Sequence, residues 1–356
     1  MSRFLKQVYT ALDVYTPGEQ PKDTVYTKLN TNESPYPPGP ETVRAVTDAA
    51  RAENLRKYCD PDAHALKSAL AETYGVAENQ IFVSNGSDDI LNFAFMAFSE
   101  DGVRFPEITY GFYPVFARLH GLEFQTCPLL EDFRIDVKDY LQAGSMVVIA
   151  NPNAPTGIAL SLEQIAEICR SNPDHVVLID EAYVDFGTES ALPLVEEFPN
   201  LLVVQTFSKS RSLAGGRIGF AIAQAELIAD LERIKYSTNP YNVNSISQAA
   251  GAAALAEDSY YRDNCRRIME TRAFTAEKLE ELGFRVVPSK ANFLFATHDG
   301  IDGEELYLKL KERKVLIRHF DNPKIRQYNR ITIGSKEEMD RLLKEVSEIL
   351  SGKERV

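Results

Sequence analysis

The sequence predicts an α/β protein, a large unit with a mainly parallel sheet between helices and a smaller α+β unit beside it. Three observations carry this. The middle of the chain alternates short apolar runs with stretches of helical period, in the βαβ manner. After Asn239-Pro240 the pattern shifts to a long amphipathic stretch followed by short strand and helix signals. The 356 residues have room for one large and one smaller domain.

Taken in order, apolar runs bounded by turn residues predict strands at residues 81–84, 146–150, 176–179, 201–205 and 218–223. Helical periodicity predicts helices at 87–98, 161–169 and 225–236. In the second unit FRVVP, ANFLFAT, VLIRHF and RITIG read as strands. The proline-rich turn NTNESPYPPGP reads as a crossing point, which assigns residues 30–239 to the large domain and 1–29 with 240–356 to the small one.

Composition narrows the partners. The 52 acidic and 39 basic residues give a net charge of −13, which disfavours nucleic acid and anionic membranes. An anionic small substrate would then need a local group of arginines. With no signal-like apolar stretch at the N-terminus and no run of eighteen apolar residues, a cytoplasmic protein is expected. Cys59, Cys127, Cys169 and Cys265 form no CxxC pair and the five histidines show no ligand spacing, so neither disulfides nor a metal site are expected.

In open α/β sheets ligands sit beyond the carboxyl ends of the strands, and Asn85, Asn151, Asp180 and Lys209 all fall at such ends. Any one alone reads as a turn residue or helix cap; together they point to a single crevice. In SNGSDD, Gly86, Ser87 and Asp88 would present backbone N–H groups to a phosphate at a helix start, although a capping box with Ser87 as cap explains the motif equally well. Ser208 and Arg217, in TFSKSRSLAGGRIG, would complete a phosphate cradle, and Lys209 between them offers an amine to an aldehyde. Asp180, in VVLIDEAYVDF, is suited to keep a pyridine nitrogen protonated, with Tyr183 donating to a ring hydroxyl. Tyr110, in ITYGFYP, is suited to stack on such a ring. These features together fit pyridoxal 5'-phosphate.

The chain resembles the fold-type I pyridoxal-phosphate aminotransferases, specifically the histidinol-phosphate aminotransferase family. The resemblance runs nearly end to end through VYTPG, LNTNESPYPP, RKYCDP, SNGSDD, ITYGFY, NPNAPTG, DEAYVDF, TFSKSRSLAGGRIG, VLIRHF and RITIG. It implies that Lys209 attaches the cofactor covalently and then moves the proton, with Asp180 on the ring nitrogen, Tyr183 on the ring oxygen and Tyr110 on the ring face. It also implies that Gly86, Ser87, Asp88, Ser208 and Arg217 hold the phosphate. Tyr58, in RKYCDP, would reach the cofactor of a neighbouring subunit, which implies a homodimer. Arg318 and Arg330 would take a substrate phosphate in one half-reaction and a glutamate carboxylate in the other, and Tyr15 would close over the substrate. Many members carry asparagine before the Pro-Thr-Gly, where this chain has Ala154; the cofactor contact is then either lost or taken by Asn153 from a shifted loop.

The activity so implied converts L-histidinol phosphate and 2-oxoglutarate to imidazole acetol phosphate and L-glutamate, a step of histidine biosynthesis. Two alternatives share the fold. An aromatic amino-acid aminotransferase would differ around Tyr15 and Tyr110, and a threonine-phosphate decarboxylase would want an extra anion contact near Asn32 or Asn153. A non-catalytic, regulator-like role would need a DNA-binding domain, which the acidic charge and the roughly thirty residues before the large domain disfavour.

Overall fold

The computed structural model describes residues 2–10, 12, 17–22 and 24–352. Its largest sheet has seven strands: β2 (Ile81–Ser84), β3 (Val103–Pro106), β4 (Phe124–Cys127), β5 (Met146–Ala150), β6 (Val177–Asp180), β7 (Leu201–Thr206) and β8 (Gly219–Ile222), in the order β2-β8-β7-β6-β5-β3-β4. All neighbours are parallel except β8, which runs antiparallel to both β2 and β7. Both faces of the sheet are covered, so its central strands β5 and β6 read as near-continuous apolar runs rather than alternating with polar residues. Val147, Ile149, Val177, Ile179, Leu201 and Val203 join one core with α3 (His64–Tyr74), α6 (Leu162–Ser171) and α8 (Ser245–Ala256). Met146, Val148, Leu178, Leu202 and Val204 join the other, with α4 (Ser87–Phe98), α5 (Phe112–Leu119) and α7 (Ala225–Thr238).

Two strands escaped the sequence pattern. In β3, Arg104 interrupts the apolar run, and its Nη1 and Nη2 donate to the carbonyls of Asp139 and Ala143 at 2.8 and 3.0 Å. β4 is an edge strand whose Gln125 and Thr126 face solvent, so little apolar signal marks it.

The four-stranded antiparallel sheet, in the order β12-β13-β10-β9, uses β9 (Phe284–Val287), β10 (Phe293–His298), β12 (Arg318–His319) and β13 (Asn329–Thr332). It packs with α9 (Asp258–Glu281), α10 (Gly303–Glu312) and α11 (Lys336–Leu350) around Phe293, Leu306, Leu310, Ile331, Met339, Leu342 and Val346. VLIRHF is not one strand: β11 (Val315–Leu316) pairs in parallel with β1 (Thr27–Lys28), and only after Ile317 does β12 join β13. Leu29 extends the stitching, donating to Leu316 O at 2.8 Å and accepting from Thr332 N at 3.0 Å. Two short helices, α1 (Pro40–Ala49) and α2 (Ala52–Leu55), follow the crossing segment. Ala154 and Tyr183 belong to the same apolar cluster as the four-stranded sheet, so this body closes directly on the carboxyl ends of β5 and β6.

Candidate active site

The carboxyl ends of β2, β5, β6 and β7 open into a cavity of about 160 Å³ lined by Ser87, Asp88, Tyr110, Ala154, Asp180, Tyr183, Ser208, Lys209 and Arg217, among others. These nine were all singled out in the sequence. A larger cavity of about 480 Å³ shares Thr31, Tyr110, Ala154, Tyr183 and Lys209 with it and reaches Arg318 and Arg330.

The phosphate cradle is built by close backbone approach. Gly86, at φ +87°, is the N-cap of α4, and no side chain caps that helix. Ser87 therefore lies inside the helix rather than acting as its cap, and the first N–H groups stay available to an anion. A Cβ on Gly86 would fall 2.5 Å from Arg217 Nη2, and one on Gly219 would fall 2.3 Å from Ser87 N. Glycine at both positions lets the guanidinium and the strand close on the helix start. Arg217 itself takes φ +51°, a conformation that costs a side-chain-bearing residue about 1–3 kcal/mol. That backbone turns Nη2 to 3.1 Å from Asp88 Oδ2 and Nη1 to 3.5 Å from Ser208 Oγ. Asp88 accepts in addition from the Tyr110 hydroxyl at 2.7 Å, so its carboxylate orients the cradle and its backbone faces the anion.

Asp180 ends β6 and is buried. Its Oδ2 accepts from the Tyr113 hydroxyl at 2.9 Å and its Oδ1 from Ala182 N at 3.2 Å. Burial pushes its carboxyl up to about 6, against the downward pull of the Tyr113 bond. Lys209 Nζ lies 3.3 Å from Thr31 O and 5.8 Å from the centre of the Tyr183 ring. Burial first, then the positive charge of Arg330, lowers its amine to about 8. Near neutral pH a usable fraction is thus the free base, as a nucleophilic or proton-moving amine requires. The Tyr183 hydroxyl accepts from Asn32 Nδ2 at 2.9 Å, which leaves its own proton to donate into the crevice. Asn32, held at φ +57°, also accepts from Thr332 Oγ1 at 2.9 Å and so ties β13 to the crevice floor.

Arg318 and Arg330 are direct partners across β12 and β13 and line the larger cavity together. Like charges on one rung repel, so an anion between them is favoured. Phe320 lies near both guanidiniums, at 5.7 and 5.8 Å, and Arg330 Nη2 donates to Asn30 O at 2.8 Å.

One expectation is corrected, and two concern residues placed outside this chain's own cavities or outside the described residues. Asn153 does not replace the contact missing at Ala154: its amide is consumed by Thr109 Oγ1 at 2.8 Å, Ile108 O at 2.9 Å and Thr156 Oγ1 at 3.3 Å, and Ala154 alone of the two lines the crevice. Tyr58 lies outside both cavities, 84% exposed and stacked on Tyr241 at 4.6 Å. Tyr15 lies outside the described residues. Sequence reasoning missed Tyr113, three residues beyond Tyr110 on the first turn of α5, and Gly219, although a glycine opening a strand is itself a signal of close backbone approach.

Among the described residues no cluster of His, Cys, Asp or Glu could hold a metal, and no helix is long and apolar enough to cross a membrane.

Residues 24–346 match the family model for aminotransferases of class I and II. A histidinol-phosphate aminotransferase of Brachyspira hyodysenteriae is 49% identical over 98% of this chain and 99% of its own length. One from Clostridium botulinum is 44% identical over 99% of both. Among solved structures, histidinol-phosphate aminotransferase from Sinorhizobium meliloti, in complex with pyridoxal-5'-phosphate, superimposes with a TM-score of 0.89 at 25% identity over 99% of both chains.

Proposed function

We propose a reaction for this crevice from a premise the comparisons supply: the chain belongs to the class I and II aminotransferases and, among them, to the histidinol-phosphate aminotransferases. The reaction moves the amino group of L-histidinol phosphate to 2-oxoglutarate, giving imidazole acetol phosphate and L-glutamate, with pyridoxal 5'-phosphate as cofactor. The observation that carries it is the convergence on one cavity of Lys209, Asp180 and an uncapped helix start flanked by Ser208 and Arg217.

The residues fit the cofactor. The N–H groups at the start of α4, with Ser208 and Arg217, would hold its phosphate, Asp180 its ring nitrogen, Tyr183 its ring oxygen, and Tyr110 its ring face. When bound, pyridoxal phosphate supplies the aldehyde that accepts the amino group and a ring that delocalises the electrons left at the substrate's Cα. Lys209 Nζ, with its amine lowered to about 8, would take the Cα proton of the amino donor in one half-reaction and deliver a proton to Cα of the glutamate formed in the other. Arg318 and Arg330 hold the phosphate of histidinol phosphate in one half-reaction and a carboxylate of the dicarboxylic partner in the other.

The domain division at residues 29–30 is part of this reading, supported by the two separate sheets and by β1 pairing with β11, but the boundary expected at 239–240 moves beyond α8, because Ala250, Ala254 and Leu255 pack in the core of the seven-stranded sheet. A homodimer is also part of this reading: Leu55, at the end of α2, and Tyr58, just beyond it, are 54% and 84% exposed, an apolar surface that a second copy would cover. A biosynthetic step on small phosphorylated metabolites suits a cytoplasmic enzyme.

The decarboxylase alternative loses support, since the amides of Asn32 and Asn153 are already engaged within the protein. The test is a half-reaction. The protein loaded with pyridoxal phosphate is mixed separately with L-histidinol phosphate, phenylalanine and threonine phosphate, and conversion to pyridoxamine phosphate is followed by absorbance. Fast conversion by histidinol phosphate is expected; conversion by phenylalanine alone, or carbon dioxide release from threonine phosphate, would replace this reading with an alternative.

A further inference from the structure

We propose that Tyr113 is a positioning residue of this reaction, a buried hydroxyl that keeps the Asp180 carboxylate ionised and oriented to pair with the cofactor's ring nitrogen. The inference rests on the aminotransferase reading above. Tyr113 is fully buried, and its hydroxyl lies 2.9 Å from Asp180 Oδ2. Among the described residues it makes the only side-chain hydrogen bond to Asp180, the second donor being the backbone N–H of Ala182.

The phenol is held in place. Its ring meets Phe105 edge-on at 5.8 Å, Phe95 at 6.4 Å and the edge of Tyr110 at 5.7 Å. A hydroxyl fixed this way holds the carboxylate without reorganising when the ligand arrives, which is what makes such donors effective in dry sites. Asn32 does the corresponding work for Tyr183, so each of the two polar groups assigned to the ring has a buried partner behind it.

The charge balance at Asp180 shows why the donor matters. Asp88 on α4 faces it and disfavours its ionised form, while Lys209 after β7 favours it. Tyr110 and Tyr183 flank the phenol of Tyr113, and Arg330 from β13 acts on Lys209 and Tyr183. Burial already brings the carboxyl to about 6, so without the phenolic donor the proton would settle on Asp180 near neutral pH. A neutral carboxyl is a poor partner for a pyridinium.

The test is Tyr113→Phe, which preserves ring and volume. In the cofactor-free protein the infrared carbonyl band of protonated Asp180, assigned by its loss in Asp180→Asn, should titrate at higher pH, by about one unit. Affinity for pyridoxal phosphate should fall, most clearly near pH 7. In the holoenzyme kcat should drop by roughly 10- to 100-fold, the loss typical of one hydrogen bond to a buried charge, with KM for histidinol phosphate within about twofold. In an Asp180→Asn background the same substitution should change kcat less than about twofold, because its effect passes through Asp180. An unmoved infrared titration, or an equal loss in both backgrounds, would overturn the proposal. Should the phenylalanine variant not fold, site-specific 3-fluorotyrosine at position 113, a stronger donor of nearly the same size, should move the titration downward; no movement would sink the idea. A parent protein that titrates as described yet transfers no amino group would instead overturn the aminotransferase reading.

Discussion

The two walls of the crevice are charged in opposite styles. On the wall formed by the seven-stranded sheet, charged groups meet complementary partners: Arg217 meets Asp88 and Ser208, and Asp180 meets Tyr113. On the wall formed by the four-stranded sheet, Arg318 and Arg330 share one rung of an antiparallel ladder and repel. The first arrangement suits a cofactor that stays, since its groups need no reorganisation. The second suits anions that come and go, since an anion held between the two guanidiniums offsets their mutual repulsion. Arg330 links the walls, because its charge helps to lower the Lys209 amine.

The strongest way to break this comparison is Lys209→Ala. It should abolish covalent attachment of the aldehyde, seen as loss of the visible absorbance of the holoenzyme, and lower turnover by at least about 10³-fold. Turnover near the parent rate would remove Lys209 from the chemistry. Arg330→Ala should raise KM for both histidinol phosphate and 2-oxoglutarate by roughly 10- to 100-fold, the cost of one charge-assisted contact. It should also move the pH at which the cofactor-free protein captures pyridoxal phosphate upward from about 8, because one of the charges lowering Lys209 is gone. If only one substrate is affected, the shared anion site is wrong.

Gly219→Ala sharpens the first wall. Its Cβ would meet Ser87 N at 2.3 Å, so β8 and the start of α4 must separate, at about 1–3 kcal/mol of stability and with weaker binding of pyridoxal phosphate. Thermal unfolding with and without cofactor reads both effects.

The smallest effect concerns Glu181, which adjoins Asp180 but points away from the crevice into bonds from Ser190, Ala191 and Gln205. Burial pushes its carboxyl up to about 7 from an ordinary 4.5, so the folded protein holds the proton more tightly than the unfolded chain. Stability should therefore fall as pH rises from about 4.5 to 7 and level off above. Glu181→Gln should flatten that slope in denaturant titrations, leaving the share of Asp180 below about 6. Amino transfer should change little, and a large loss would mean that Glu181, like Asp180, serves the crevice.

The parts of the fold legible in the sequence were those buried on both faces. The runs Met146–Ala150 and Leu201–Val204 are apolar at every residue because both covered faces demand it, and each strand was marked to within a residue or two. β3 and β4 were not, because an arginine that donates to distant carbonyls and a solvent-facing edge look alike in composition. Among site residues, Lys209, Asp180 and Arg217 follow strand or glycine signals, and local order suffices to find them. Asn153 shows the limit: next to Ala154 in sequence, it nonetheless spends its amide on Thr109 and Ile108.

By itself, then, the sequence determined the α/β class, the strand ends that carry the reactive groups, and the family. Only the tertiary structure decided which side chain stands behind which. The Tyr113 bond to Asp180, the Asn32 bond to Tyr183 and the opposition of Arg318 to Arg330 join residues 67, 151 and 12 positions apart. Such pairings depend on strand order, helix placement and register. These are set by the packing of whole layers, so no local stretch of the chain encodes them.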